Sequence, residues 1–320
     1  MSTATTGTWT GERFAHEAFV FDDDEQVRRR CVPYVQEALE RDEPVVVVAG
    51  ERVRALLRDA FGSSTDGFAV FAAAEDSWHG ASGTLAAYQD SMQPLLAAGA
   101  PWRLIGEPVW LAYAGGAAWS RFEGVANEAF ADYPYYSLCL HDRRRLTPAL
   151  IEGQLRTHPM VWDGSAPAPN PAYVSTAEYL RTVEPAWTET PGTARAVRIS
   201  SVREAHRTIR ALAEDTVPEL RPDDAVLAVY ELVSNALRAA GAAHVHRWDS
   251  NGAVVWQVSD DGPGMHDVAA GYTPPSREPT GGRGLWLARS LADEASVRSH
   301  GPGTAVRLYF ARGAATGSGT

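Results

Sequence analysis

A chain of 320 residues with 45% hydrophobic and 22% charged residues has the make-up of a globular protein with room for two domains, each burying its own core. Its formal net charge of −11 argues against a protein that grips nucleic acid or a membrane, since nucleic-acid binders concentrate positive charge on one face and no apolar run reaches the roughly 18 residues of a membrane helix. All 29 basic residues are arginine, which excludes a Walker phosphate loop and the strand lysine of a eukaryotic-type kinase.

The opening MSTATTGTWTGERF lacks the apolar core of a signal peptide, which places the protein in the cytoplasm. Two cysteines, Cys31 and Cys139, suggest neither a disulfide framework nor a structural zinc motif. Residues 1–13 are small and polar and are expected to fray.

From residue 14 the pattern alternates. His16–Phe21 predicts a strand, Asp24–Arg41 an amphipathic helix, and Pro44–Ala49 a short apolar strand buried on both faces. Gly50 turns the chain into a helix through Phe61, and Gly67–Phe71 supplies another strand. Strands follow at Trp102–Ile105 and Tyr135–Leu140, with helices near Gly83–Ala98, Ala117–Phe130 and Thr147–Arg156. This alternation implies βαβ units and a mainly parallel sheet over residues 14–160. The basic run Arg143–Arg145 is expected to be a solvated helix start. Prolines at 167, 169, 171, 185 and 191 make 161–193 a linker with one short helix at Thr176–Thr182.

The remainder, 194–311, predicts a strand at Ala194–Ile199 and helices at Val202–Asp215 and Pro222–Ala240, before a polar tail at 312–320. On the second helix Glu231 and Asn235 stand four apart and share a face. That pair is either a solvated face or the oxygen donors of a magnesium ion. A strand at Ala253–Val258 then ends in Ser-Asp260-Asp-Gly262-Pro-Gly264-Met. This is a turn, or a close backbone approach to a ligand with Asp260 accepting from an amine. Gly281-Gly282-Arg283-Gly284 feeds an apolar helix at Trp286–Ala292, as a phosphate cradle does. Gly301-Pro-Gly303-Thr304 enters the last strand.

These four elements in this order resemble the GHKL superfamily of gyrase, Hsp90 and histidine kinase ATPase domains. ELVSNA matches its N box, DDGPGM and GRGLWLA its two glycine boxes, and GPGTAV its closing strand. The resemblance implies ATP and Mg2+ as cofactors, Glu231 as the catalytic base, and Asn235 as the magnesium ligand. It puts Asp260 on adenine with Thr304 near it, Gly262, Gly264, Gly282 and Gly284 around the phosphates and lid, and Arg238 and Arg283 in the nucleotide site. The lid would be mobile over 265–281. The compact domain looks most like the serine kinases that act as anti-sigma factors, which implies a sigma factor or an anti-sigma antagonist as partner and a homodimer. One departure is Ala239, where such domains often carry histidine. A histidine kinase would need an acceptor on a dimerising helix. His206 lies inside the domain's own first helix without the usual following residues, and His141 and His158 belong to the other domain.

Residues 14–160 resemble the MEDS sensory domain, a P-loop-like α/β module. The matching segments are HEAFVF, PVVVVAGERVRALL, RLIGEPVW, Glu123 with NEAF, LCLHD and THP. The departures are at Ser77–Thr84 and at Leu140-His141. The expected fold class is α/β throughout: a P-loop-like, mainly parallel sheet domain followed by a GHKL α/β sandwich. A small-ligand crevice is expected at the carboxyl ends of the parallel strands. Glu107, Trp110, Glu123, Asn127, His141 and His158 are the candidates to line it, although Glu107 could equally cap a strand end and Trp110 fill a core. His16, His141 and His158 lack the close spacing of a metal motif, so a metal site among them is the lesser reading. The whole reads as a bacterial signalling switch, an ATP-binding anti-sigma serine/threonine kinase gated by a sensory domain. The alternatives are a non-catalytic nucleotide-dependent binding module and a histidine kinase supplied with its acceptor by another chain.

Overall fold

The computed structural model describes residues 9–62, 68–77, 81–112, 116–183, 187–214, 221–250, 252–265, 267, 270–272, 283–299 and 302–312. The chain divides into two compact units on either side of Val183. No helix among the described residues is long and apolar enough to cross a membrane.

The first unit is built on seven strands: β1 (Ala15–Phe21), β2 (Val45–Ala49), β3 (Ala69–Ala73), β4 (Trp102–Gly106), β5 (Tyr135–Asp142), β6 (Met160–Trp162) and β7 (Pro167–Pro169), in the order β3-β2-β4-β5-β1-β6-β7. Every pair is parallel except β6 with β7. β3 starts at Ala69 after a turn residue at Phe68, and its expected start at Gly67 lies outside the described residues. Among the described residues six α-helices accompany the sheet: α1 (Asp24–Glu40), α2 (Glu51–Phe61), α3 (Ala81–Ala98), α4 (Gly116–Ala129), α5 (Pro148–Leu155) and α6 (Thr176–Val183).

Period-2 alternation decides which side chains face which helices. Phe19 and Phe21 of β1 and Tyr136, Leu138 and Leu140 of β5 form one core with Val27, Cys31 and Val35 of α1 and Val53 and Leu57 of α2. Asp23 caps α1, its carboxylate accepting from Gln26 N at 2.8 Å. Within this core Glu17 is fully buried and accepts from Arg30 Nε at 2.9 Å and Nη2 at 2.5 Å. The opposite residues, His16 on β1 and Tyr135, Ser137 and Cys139 on β5, face away from that core.

The stretch expected as a linker from 161 onward is different. β6 pairs with β1 through Ala18↔Val161, β7 pairs with β6 through Val161↔Ala168, and Tyr179 and Leu180 of α6 are buried. Pro167 and Pro169 sit in a three-residue edge strand, where a missing N–H costs no ladder bond. The 143–145 run is exposed, as expected, but it forms the turn before α5 and not a helix start. Arg144 donates to Asp142 Oδ2 at 2.8 Å and reaches Asp24 at 3.3 Å.

The second unit is a five-stranded sheet, β8 (Arg195–Ile199), β9 (Ala243–Ser250), β10 (Ala253–Asp260), β11 (Glu294–Arg298) and β12 (Thr304–Ala311), ordered β11-β12-β10-β9-β8 and antiparallel throughout. Sequence periodicity did not mark β9 or β11. Three helices, α7 (Val202–Glu214), α8 (Pro222–Ala240) and α9 (Arg283–Leu291), pack on one face around Trp256, Leu308 and Phe310. Pro222 opens α8 at its first turn, and Gly241 ends it in the left-handed region at φ 70°. The other face is covered at Arg307, whose guanidinium lies 4.2 Å from the Trp187 ring centroid and 5.0 Å from that of Trp248. Residues 187–190 are therefore fastened to this sheet and are not a free linker.

Candidate functional site

In the second unit the apolar stripe of α8 turns Glu231 and Asn235 toward α9. A Cβ added to Gly284 would lie 2.8 Å from Asn235 Nδ2 and 3.1 Å from Glu231 Oε2, so glycine alone lets the first turn of α9 come this close. Arg238, one turn further and exposed, donates to Asn235 Oδ1. Arg283 starts α9 and is exposed.

The end of β10 brings the remaining groups together. Asp260 is in register with Thr304 on β12. Asp260 Oδ1 accepts from Gly262 N at 2.8 Å, which folds the chain back after the strand. Gly303, at φ 92°, donates to Gly262 O at 2.6 Å, and a Cβ there would sit 2.7 Å from Asp260 O. Gly264 is also left-handed at φ 86°. Ser299 Oγ accepts from Met265 N at 2.6 Å and lies 3.4 Å from Thr304 Oγ1. The result is a pair of glycine-lined turns, one beside a carboxylate and hydroxyl and one beside a carboxylate and amide. Such a layout fits a nucleotide with its magnesium, whose base takes a carboxylate partner and whose phosphates take backbone N–H groups and a metal. Gly282 and most of 265–281 fall outside the described residues. Of the expected lid, Tyr272 is buried under the Arg289 guanidinium, 4.0 Å from its ring, so that part is packed on α9.

In the first unit, the side of the sheet facing away from the α1–α2 core carries two cavities. One of about 680 Å3 is lined by Val46, Val48, Phe68, Met92, Trp102 and Leu104, among others. A smaller one of about 40 Å3 is lined by His16, Glu107, Trp110, Glu123 and Cys139 beneath an aromatic wall that includes Tyr88 and Trp119. It holds one or a few water-sized groups. α4 carries Trp119, Glu123 and Asn127 four residues apart on one face. Burial pushes the Glu123 carboxyl up to about 8, His158 down to about 4, and His16 and His141 well below the usual histidine range. The imidazoles are thus neutral at pH 7.

Residues 15–159 match the family described as MEDS, the MEthanogen/methylotroph, DcmR sensory domain. Residues 195–310 match the histidine kinase-like ATPase domain. The chain joins a MEDS domain to a histidine kinase-like ATPase domain. A sensory domain on such an ATPase domain is the composition of a signalling regulator. Among solved structures, the chain is similar to the RsbU and RsbW domains of a Mycobacterium tuberculosis protein, at 24% identity and a TM-score of 0.26 over 38% of this chain and 34% of that one. It is also similar to the mycobacterial sensor histidine kinase MprB, at 17% identity and a TM-score of 0.27 over 38% of this chain and 100% of that one. The chain thus spans about a third of the length of the first of these structures. A comparison with curated proteins found no match.

Within the MEDS domain the six candidates separate. Glu107, Trp110 and Glu123 line the smaller cavity. Glu107 also accepts from Gly50 N at 2.9 Å, the cap at a strand-to-helix turn. Asn127 and His158 stand behind the cavity, with Asn127 Oδ1 3.1 Å from His16 Nδ1. His141 is not a lining residue. It is fully buried, its ring centroid 5.3 Å from that of His158, and neither ring nitrogen has a hydrogen-bond partner. The sequence grouped His16 with His141 and His158 but did not join Glu123 and Cys139 to them, because the four donors come from four distant segments.

Proposed function

We propose that this chain is a bacterial, cytoplasmic switch whose ATPase domain binds ATP·Mg and phosphorylates a serine or threonine of an anti-sigma antagonist, under control of a small ligand in the MEDS domain. The observation that carries this reading is the convergence of Glu231, Asn235 and the backbone of Gly284. Asn235 would hold magnesium through its carbonyl oxygen after Arg238 releases it. Asp260 would accept from the adenine amine, with Thr304 beside it. Glu231 would orient and polarise the attacking hydroxyl, and Arg283 and Arg238 would face the phosphates. Bound ATP·Mg supplies the transferable phosphoryl group, and the chain's part is positioning and charge. A homodimer through the ATPase domain belongs to this reading.

Two observations argue against an acceptor histidine in the MEDS domain or in the stretch that follows it. His141 and His158 are fully buried, out of reach of a phosphoryl donor. Among the described residues, no helix lies between α6 and β8 to present an acceptor histidine. The test is incubation of the full chain with labelled ATP and candidate antagonists. The expected product is acid-stable phosphoserine or phosphothreonine, lost in Glu231→Ala. Acid-labile phosphohistidine would favour the histidine-kinase reading. If wild type and Glu231→Ala are equally inert yet both bind a sigma factor, the chain is a binding module and not a kinase.

A further inference from the structure

The MEDS domain holds four metal-ligating side chains in one buried knot. His16 from β1, Glu123 from α4, Cys139 from β5 and His158 from the turn after α5 place one donor atom each within 4.8 Å of all the others. His16 Nε2 lies 3.4 Å from Cys139 Sγ and 3.5 Å from Glu123 Oε2, and His158 Nε2 lies 3.8 Å from the same carboxylate oxygen. Four ligands at zinc–nitrogen, –oxygen and –sulfur bond lengths stand about 3.3–3.8 Å apart along the edges of a tetrahedron.

The surrounding hydrogen bonds settle which nitrogens face the centre. His158 Nδ1 lies 2.7 Å from the Gln154 carbonyl oxygen. A carbonyl only accepts, so Nδ1 carries the proton and Nε2 is a bare lone pair. Asn127 Nδ2 donates to the Thr157 carbonyl at 2.6 Å. That fixes the amide, leaving its Oδ1 to accept from His16 Nδ1 at 3.1 Å. Both imidazoles therefore turn Nε2 inward with Nδ1–H held by an oxygen, the arrangement that orients metal-bound histidines. His158 Nε2 has no hydrogen-bond partner, and His158 is 0% exposed. A lone pair left unsatisfied in a dry interior costs about 1–3 kcal/mol. A cation at the centre satisfies all four donors at once.

We propose that His16, Glu123, Cys139 and His158 form a binding site for a divalent metal ion of the zinc class. Two neutral imidazoles, a thiolate and a carboxylate around a dication sum to zero charge, which a buried site tolerates. Binding releases the thiol proton of Cys139 and the carboxyl proton of Glu123 where these are still held. His16, Glu123 and Cys139 also line the 40 Å3 cavity, so the ion forms part of its wall.

The test uses the full chain carried on an affinity tag without histidine. Zinc is measured by mass spectrometry after dialysis, and the zinc-free protein is loaded with Co2+ alone. The expected result is one ion per chain and a tetrahedral cobalt spectrum with a thiolate charge-transfer band. Cys139→Ser should lose that band, and His158→Gln should weaken zinc by at least about tenfold in competition with a chromophoric chelator. The other cysteine, Cys31, is buried in the α1–α2 core, so Cys31→Ser should keep the band. His141→Asn, a buried neighbour outside the donor set, should keep the metal and so controls for packing damage. The wild-type cobalt spectrum reads thiolate ligation even where a variant fails to fold. Substoichiometric metal with no thiolate band, or a folded Cys139→Ser that retains both, overturns the site. None of these outcomes depends on nucleotide binding or phosphoryl transfer.

Discussion

Glu107 lends its carboxylate to the backbone N–H of Gly50, 2.9 Å away, where β2 turns into α2. In a P-loop protein a phosphate takes that position at the helix N-terminus. Here the chain's own side chain does, and Gly50 offers α2 no side-chain cap of its own. Burial raises the Glu107 carboxyl above its usual range, and the Gly50 N–H acts against that rise. Replacing Glu107 by alanine should cost the MEDS domain about 1–2 kcal/mol. Glu107→Gln should cost less, because its amide oxygen still accepts. Equal midpoints for wild type and Glu107→Ala in urea unfolding would sink this account.

The neighbouring carboxylate predicts a pH dependence. Burial alone would raise Asp142, but hydrogen bonds from the Arg144 side chain and backbone and from Arg52 outweigh it and hold the carboxyl below its usual 3.8. A carboxyl depressed on folding stabilises the fold fully above the unfolded value. That contribution disappears as pH falls from there through the folded value. Asp142→Asn should therefore lower stability at pH 7 by about 1–3 kcal/mol and flatten the acid limb of the stability curve. Parallel curves for mutant and wild type from pH 6 to pH 3 would refute the assignment.

Gly284 tests the nucleotide site without replacing a charged side chain. A methyl there would meet Asn235 Nδ2 at 2.8 Å and Glu231 Oε2 at 3.1 Å, closer than side chains rest. Gly284→Ala should keep the ATPase domain folded, since alanine favours the helix by up to about 1 kcal/mol. The same change should weaken Mg-dependent binding of a fluorescent ATP analogue by at least about tenfold. Unchanged affinity would mean that the first turn of α9 does not frame the phosphates.

The sequence made some of this legible and hid the rest for physical reasons. α8 was readable because its apolar spacing is regular and proline and glycine mark its ends. The turns around Gly262 and Gly303 were readable because their close backbone approaches require glycine. β9 was missed because AHVHRWDS alternates small and aliphatic residues with His and Arg, and Arg247 is buried on the core side. β6 and β7 were hidden by prolines that read as a linker. The metal knot was only half legible: His16 and His158 were grouped in the lesser metal reading, but with His141 in place of Glu123 and Cys139. His16 and His158 are 142 positions apart, and only the parallel pairing of β1 with β5 and the packing of α4 bring their partners together. Local spacing carries helix faces and turns, but not contacts made across a sheet.

Arg307 yields the last prediction. The residue is 1% exposed, and among the described residues its guanidinium has no carboxylate partner. It donates to Gln257 Oε1 at 2.8 Å and to the Thr188 carbonyl at 2.7 Å, between the Trp187 and Trp248 rings. Cation–π contacts in a desolvated setting are worth about 2 kcal/mol, but burying the cation costs several kcal/mol per ion. The hydrogen bonds to Gln257 and Thr188 add to the contacts, and together they offset that cost. Arg307→Leu should then change the stability of the ATPase domain by less than about 2 kcal/mol, since an apolar residue of similar volume removes the desolvation cost along with the contacts. The loss should fall locally instead, on residues 187–190, whose remaining side-chain hydrogen bond to the sheet among the described residues is Thr190 to Gln257 at 3.2 Å. Chymotrypsin should cut after Trp187 faster in Arg307→Leu than in wild type, and amide exchange at 188–190 should rise while that of β10 and β12 is unchanged. Equal cleavage rates in the two proteins would show that Arg307 does not hold this segment on the sheet.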